Sequence, residues 1–167
     1  MARATTMSPP SLLLHRIFVS DGHNFFGRHG QAPATHAIRE VVSVACVAGR
    51  GLQGDRFFDH PKNDKGQVTL FSMEVFEALR VALDRPYAEA SALRRNLLVS
   101  GVDLNDLIGT EFELQGIRLF GVEECSPCYW MNTAIGPGAE DWLRGRGGMR
   151  CRILTSGWLS TQVEAPC

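Results

Sequence analysis

Glycine-containing turns punctuate a series of short apolar runs along most of this chain, and that pattern limits the fold more than any other feature. Leu12 to Val19, Ile38 to Val47, Gln67 to Phe71, Leu93 to Gly101, Glu111 to Leu114, Ile117 to Val122 and Met149 to Thr155 are short and rich in Leu, Ile, Val and Phe. Runs of that kind read as strands. Gly49-Arg50-Gly51, Gln115-Gly116, Gly136-Pro137-Gly138 and Gly145-Arg146-Gly147-Gly148 lie between them, and Gly157 opens a last short strand that runs to about Val163. Gln115-Gly116 is placed to turn a hairpin between its two neighbours. One longer segment has another period: from Met73 to Leu83, with Ser72 as N-cap, Val75, Leu79 and Leu83 recur every four residues beside Phe76, as on the apolar stripe of a helix. Asp103 to Gly109 reads as one capped helical turn, and Ala139 to Leu143 as a short helix. The strand-then-helix alternation of a doubly wound sheet is missing. The expected fold is mainly β, a closed or nearly closed barrel or curled sheet with a few peripheral helices.

Residues 12–167 are expected to form a single domain behind a loose arm, residues 1–11, that carries Met7-Ser8-Pro9-Pro10-Ser11. A chain of 167 residues, 44% of them hydrophobic, has enough apolar surface for one real core. Seventeen basic against 18 acidic residues leave a formal charge of −1, so nothing global draws the chain to nucleic acid or to an anionic membrane. Any basic site must be local. Leu12-Leu13-Leu14 is too short for a signal-peptide core, and no apolar run approaches the roughly 20 residues that span a bilayer. Five cysteines, an odd count without a secretory signal, indicate reduced thiols in a cytoplasmic protein.

Chemistry is expected at Cys125-Ser126-Pro127-Cys128, which follows the strand ending near Val122. A thiolate is both nucleophile and soft-metal ligand. Structural zinc normally takes four protein ligands; Cys125 and Cys128 supply two, Cys151 would be a third, and no second closely spaced pair exists. A dithiol redox site fits the spacing but wants a helix directly after it, and Gly136-Pro137-Gly138 leaves little room for one. One thiolate that holds a metal or carries sulfur remains, as do two merely buried thiols. Arg146, Arg150 and Arg152 add positive charge nearby in sequence. Arg94-Arg95, at the start of an apolar strand, imply either a bound anion or a solvated edge. Arg56 offers a planar fork for a phosphate or carboxylate, against the plainer reading of a surface ion pair with Asp55. The glycines from Gly49 to Gly54 lack the lysine of a phosphate loop. His23, His29 and His36 fit no compact ligand pattern and read as loop histidines, and Cys46 reads as a small strand hydrophobe.

The order Gly51-Leu52-Gln53-Gly54-Asp55-Arg56, then Arg94-Arg95-Asn96, Gly101-Val102-Asp103-Leu104, Gly109 and Cys125-Ser126-Pro127-Cys128 resembles the MOSC family, the domain found at the C-terminus of molybdenum-cofactor sulfurases. The resemblance runs from about Leu12 to about Leu159. Gly22-His23-Asn24-Phe25-Phe26-Gly27 and Cys128-Tyr129-Trp130-Met131 are similar to a stand-alone bacterial subgroup. It implies a β-barrel like that of pyruvate kinase, binding the molybdenum cofactor (molybdopterin), for sulfur transfer or reduction of small N-oxygenated substrates. In relatives such as the amidoxime-reducing enzymes, a cysteine matching Cys128 is the thiolate on molybdenum, and residues matching Arg94 and Asn96 hold the pterin; Arg56 is a candidate for the cofactor's phosphate. A persulfide carrier that delivers sulfur from Cys128 to a partner protein is the alternative. The Gly-Asp that usually closes these relatives is replaced by Ser160-Thr161-Gln162-Val163, so a short or differently paired last strand is expected. The N-terminal domain that walls the pterin in the amidoxime-reducing enzymes has no counterpart here, which implies completion of the site by a partner or a second copy. An electron-transfer partner is implied for the reductive reading.

Overall fold

A computed structural model describes residues 11–22, 36–61 and 64–161. Residues 1–10 of the expected arm, as well as His23 and His29, lie outside the described residues.

Two sheets account for the described strands. In the larger, β1 (Leu13–Ser20) pairs antiparallel with β2 (Ile38–Val41) and with β6 (Leu97–Ser100). Next to β6 lies β5 (Val68–Ser72), parallel to it because the helix α1 (Met73–Ala82) carries the chain back across the sheet. Then come β9 (Met149–Ile153), β8 (Ile117–Glu124) and β7 (Glu111–Leu114), all antiparallel. The smaller sheet has β3 (Ser43–Val47) between β10 (Gly157–Ser160) and β4 (Gly51–Leu52). Of the last strand expected to run to Val163, the described part is β10, with Ser160 paired to Ser43, and Val163 lies outside the described residues.

Barrel closure, expected from the resemblance, is not present in these ladders. β2 and β7 are the edges of the larger sheet and do not pair with each other. The reason lies in the segment expected to be one strand from Ile38 to Val47. It breaks at Val42, which is 56% exposed; before the break it pairs with β1, and after it with β10 and β4. The chain changes sheets there instead of closing one.

Both faces of β5 are covered, so all five of its residues are buried. One apolar cluster joins the sheets, bringing Val44, Cys46, Leu52 and Leu159 of the smaller onto Ile17, Leu70, Leu97, Leu119 and Met149 of the larger. A second lies under the helices, where Phe76 and Leu79 of α1 meet Phe71, Leu98, Met131 and Leu143. Ser72 caps α1 by accepting the Val75 amide at 3.2 Å. Gln115 and Gly116 both adopt positive φ, 50° and 81°, as a two-residue hairpin turn requires, and Leu114 faces Ile117 across it. That hairpin carries β8 to the cysteine segment. No helix among the described residues is long and apolar enough to cross a membrane.

Candidate functional site

Cys125 and Cys128 sit in opposite environments just beyond β8. Cys125 is 3% exposed, and its amide donates to the Gly148 carbonyl at 2.9 Å. Cys128 is exposed, with its thiol free. The Cys128 carbonyl accepts the Met131 amide at 2.9 Å and begins the helix α2 (Trp130–Ala134). The expectation of little room for a helix here is therefore corrected: five residues fit before Gly136, because buried Trp130 and Met131 anchor the turn.

Arg95 holds this segment in place. Its Nη2 donates to the Cys125 carbonyl at 3.3 Å, its Nε to the Gly147 carbonyl at 3.1 Å and its Nη1 to the Leu93 carbonyl at 2.9 Å. One guanidinium thus ties three chain segments together, using the fixed fork that lysine lacks. Gly147 is needed at its position: a Cβ there would lie 2.2 Å from the Cys125 carbonyl oxygen and 3.1 Å from Pro127 Cδ.

Arg94 precedes β6 instead of starting it, in the left-handed conformation (φ 55°, ψ 36°) that closes the 3-10 turn Ala90–Leu93. Non-glycine residues adopt that conformation at a cost, and such strain gathers at functional sites. The side chain is buried, and its Nη2 donates to the Gly22 carbonyl at 2.6 Å and to Ser20 Oγ at 3.3 Å. Its Nε is buried with no partner among the described residues. Arg56 donates through Nη2 to the Arg94 carbonyl at 3.2 Å, lies 4.7 Å over the Phe57 ring, and likewise has a buried, unpartnered Nε. Its partner Asp55, 3.5 Å away, has a fully buried side chain that accepts the amides of Ser20 and Phe57. The surface-pair reading of Asp55 and Arg56 is replaced by a buried one. Burial, with a smaller push from neighbouring Arg56, lowers the Arg94 pKa to about 10 against the opposing pull of Asp55; Arg56 is lowered by burial too, against the same opposing pull. Both remain cations at neutral pH.

Arg56, Arg94, Arg95 and Arg150 come together with Ser126, Cys128, Trp130 and Met131 around a cavity of about 190 Å³. No carboxylate is among the described residues that line it. Arg150 arrives from β9, 3.9 Å from Glu123 and 40% exposed. Its neighbours in sequence go elsewhere: Arg146 stacks 4.2 Å over Trp142, and Arg152 donates to the Asp64 carbonyl. Asn96 does not line the cavity. Its Oδ1 accepts the Thr69 amide and hydroxyl, both at 3.0 Å, and its Nδ2 donates to the Phe18 carbonyl at 3.1 Å, so it binds β1, β5 and β6 together behind the arginine pair. Arg95's three-carbonyl grip and the Trp130–Met131 wall escaped sequence reasoning, since neither has a signal beyond residue type.

The other described thiols are unreactive by environment. Burial pushes Cys46 up to about 12 and raises Cys151 as well. His36 packs beside Gly22, and no three His, Cys, Asp or Glu among the described residues cluster as a metal site. A larger cavity of about 620 Å³, lined by Glu74, Asp103, Asn105 and Arg146, contains no thiol or imidazole among its described lining.

The sequence matches the model of the MOSC domain over residues 58–164. The chain belongs to the MOSC domain family. Arg94, Asn96 and Cys128 fall within the matched stretch, and Arg56 lies just ahead of it. The MOSC fold here is similar to that of YuaD from Bacillus subtilis at 16% identity, over 91% of this chain and 94% of that one, with a TM-score of 0.68. It is also similar to YiiM from Geobacillus stearothermophilus at 17% identity, over 90% of this chain and 72% of that one, with a TM-score of 0.64. For YiiM from Escherichia coli the values are 16%, 87%, 66% and 0.58. At such identities the likeness speaks for the fold alone. No curated protein matches the chain significantly.

Proposed function

We propose that this MOSC protein binds a molybdenum cofactor through the Cys128 thiolate and acts on a small molecule, by sulfur transfer or by reducing an N-oxygenated substrate. One observation carries the reading: exposed Cys128 lines a cavity together with four arginines, and no Asp or Glu is among the described residues that line it. A cationic, partly buried pocket beside a soft ligand suits an anionic, metal-bearing group. The Nε atoms of Arg94 and Arg56, which have no partner among the described residues, fit it as well, since a buried donor left unpaired is costly until a ligand satisfies it.

When bound, the cofactor supplies a metal centre able to exchange oxygen or sulfur with a small molecule. The chain's own residues do the rest. Cys128 is the ligand, Arg94 and Arg56 hold anionic oxygens, Arg150 adds charge at the rim, and Asn96 keeps the arginine-bearing strand in register from behind. Trp130 and Met131 give the cavity an apolar wall that limits water. At about 190 Å³ the cavity is smaller than the usual ligand site of roughly 300 Å³ or more. It therefore takes one end of the cofactor, and a partner or second copy covers the remainder.

Protein purified from a host that makes the cofactor should carry molybdenum near one atom per chain. Cys128→Ser should lose it, whereas Cys125→Ser should keep most of it. Full metal retention in the Cys128 variant would remove the ligand role.

A further inference from the structure

The cavity of about 620 Å³ shares no lining residue with the one beside Cys128. We propose that it binds a small zwitterion with an apolar body, a dipeptide with both ends free, whose ammonium sits by Glu74 and Asp103 and whose carboxylate sits by Arg146.

The place follows from the strand order. β5 and β6 are parallel neighbours, so their C-terminal ends lie side by side, and the chain leaves them into different elements, α1 after Ser72 and the turn Leu104–Leu107 after Gly101. A crevice opens where neighbouring parallel strands part in this way. Glu74 and Val75 line it from α1, Val102, Asp103 and Leu104 from the segment after β6, and Arg146 from the loop before β9. Asn105 ties two of these walls together, its Nδ2 donating to the Gly145 carbonyl at 2.8 Å. The volume falls within the roughly 300–1,000 Å³ usual for small-molecule sites.

The charges of the lining are of both signs, yet they do not pair with one another. None of Glu74, Asp103 and Arg146 forms an ion pair among the described residues. Each is nevertheless fixed before a ligand arrives. Glu74 accepts the Gly101 amide and the Ser72 hydroxyl, both at 2.9 Å; Asp103 accepts the Asn105 amide at 3.0 Å; Arg146 stacks 4.2 Å over Trp142. Carboxylates and a guanidinium kept out of each other's reach are bridged by a ligand that itself carries both charges, and their preorganisation spares the cost of ordering them on binding. A simple cation would meet the repulsion of Arg146, and a simple anion that of two carboxylates. Val75, Val102 and Leu104 supply apolar surface for the body of the ligand.

The test uses the full chain and three probes: leucyl-alanine with both ends free, its N-acetyl form, which keeps only the negative end, and its amide, which keeps only the positive end. Calorimetric titration should give the free dipeptide an affinity about tenfold above either blocked form, and backbone amide resonances should shift at Gly101, Gly145 and Gly148. Asp103→Asn retains a residue that caps the turn and removes its charge. It should cut the preference over the N-acetyl form several-fold and leave the preference over the amide. Arg146→Gln, at an exposed position, should do the reverse. Cys128→Ser should bind the dipeptide as the unaltered chain does, so this proposal and the cofactor reading fail independently. The proposal is overturned if the free dipeptide binds no better than its blocked forms, if the resonance shifts gather elsewhere, or if either charge variant leaves both preferences intact.

Discussion

Arg94 concentrates the logic of the site in one residue. It is strained in the backbone, buried in the side chain and lacks a partner at Nε among the described residues. Burial lowers its pKa from the ordinary guanidinium range to about 10, which means that carrying the charge opposes folding at neutral pH. The penalty is fully present below pH 10 and fades as the pH rises above 10 towards the ordinary guanidinium range. A bound oxyanion should offset it. Sulfate or phosphate should therefore raise the melting temperature by a few degrees more than chloride at equal ionic strength, and Arg94→Met should erase that difference; scanning calorimetry decides. At this scale the sequence was partly legible. Cys128, Arg94 and Arg56 were identifiable as residues of the right chemistry, and they do meet at one cavity. Asn96 and Arg95 carried no sign of their hydrogen-bond partners, which lie on segments distant in sequence.

The elements position those residues through close backbone contacts. The loop from Gly145 to Gly148 presses on the cysteine segment, and Gly147 leaves no space for a methyl group against the Cys125 carbonyl. Gly147→Ala should destabilise the fold by roughly 2 kcal/mol or more, read as a lower urea midpoint, and should also displace the carbonyl that Arg95 holds. Glycines of this kind read in the sequence only as turn formers. The helix α1, the Gln115–Gly116 hairpin and the turn capped by Asp103 were all legible, because period, cap and turn residues are local signals. The break at Val42 was not, since alternation continues through it and only the change of sheet distinguishes its two halves. Helix α2 was obscured by the glycines and proline that follow it.

At the scale of the whole molecule, one apolar cluster spans both sheets, so the smaller sheet has no core apart from the larger. Far-UV circular dichroism and tryptophan fluorescence should accordingly report one coincident urea transition; separated midpoints would show that the sheets unfold independently. The mainly β expectation holds, while the closure of the closed or nearly closed barrel is not found in the two-sheet pairing, because closure depends on long-range strand pairing that no local pattern encodes. The cavity is likewise a global product, assembled from Arg56 after β4, the Arg94–Arg95 pair, the segment after β8, and Arg150 on β9. Its central property, a free thiol in a positive field, is measured most directly by comparing how fast Cys128 reacts with iodoacetate and with neutral iodoacetamide. The anionic reagent should be favoured at Cys128 several-fold more than at a small free thiol, lose that advantage in Arg150→Gln and at high salt, and leave Cys46 and Cys151 unlabelled at pH 8. A reagent ratio equal to that of the free thiol, or faster labelling of Cys125, would contradict the account.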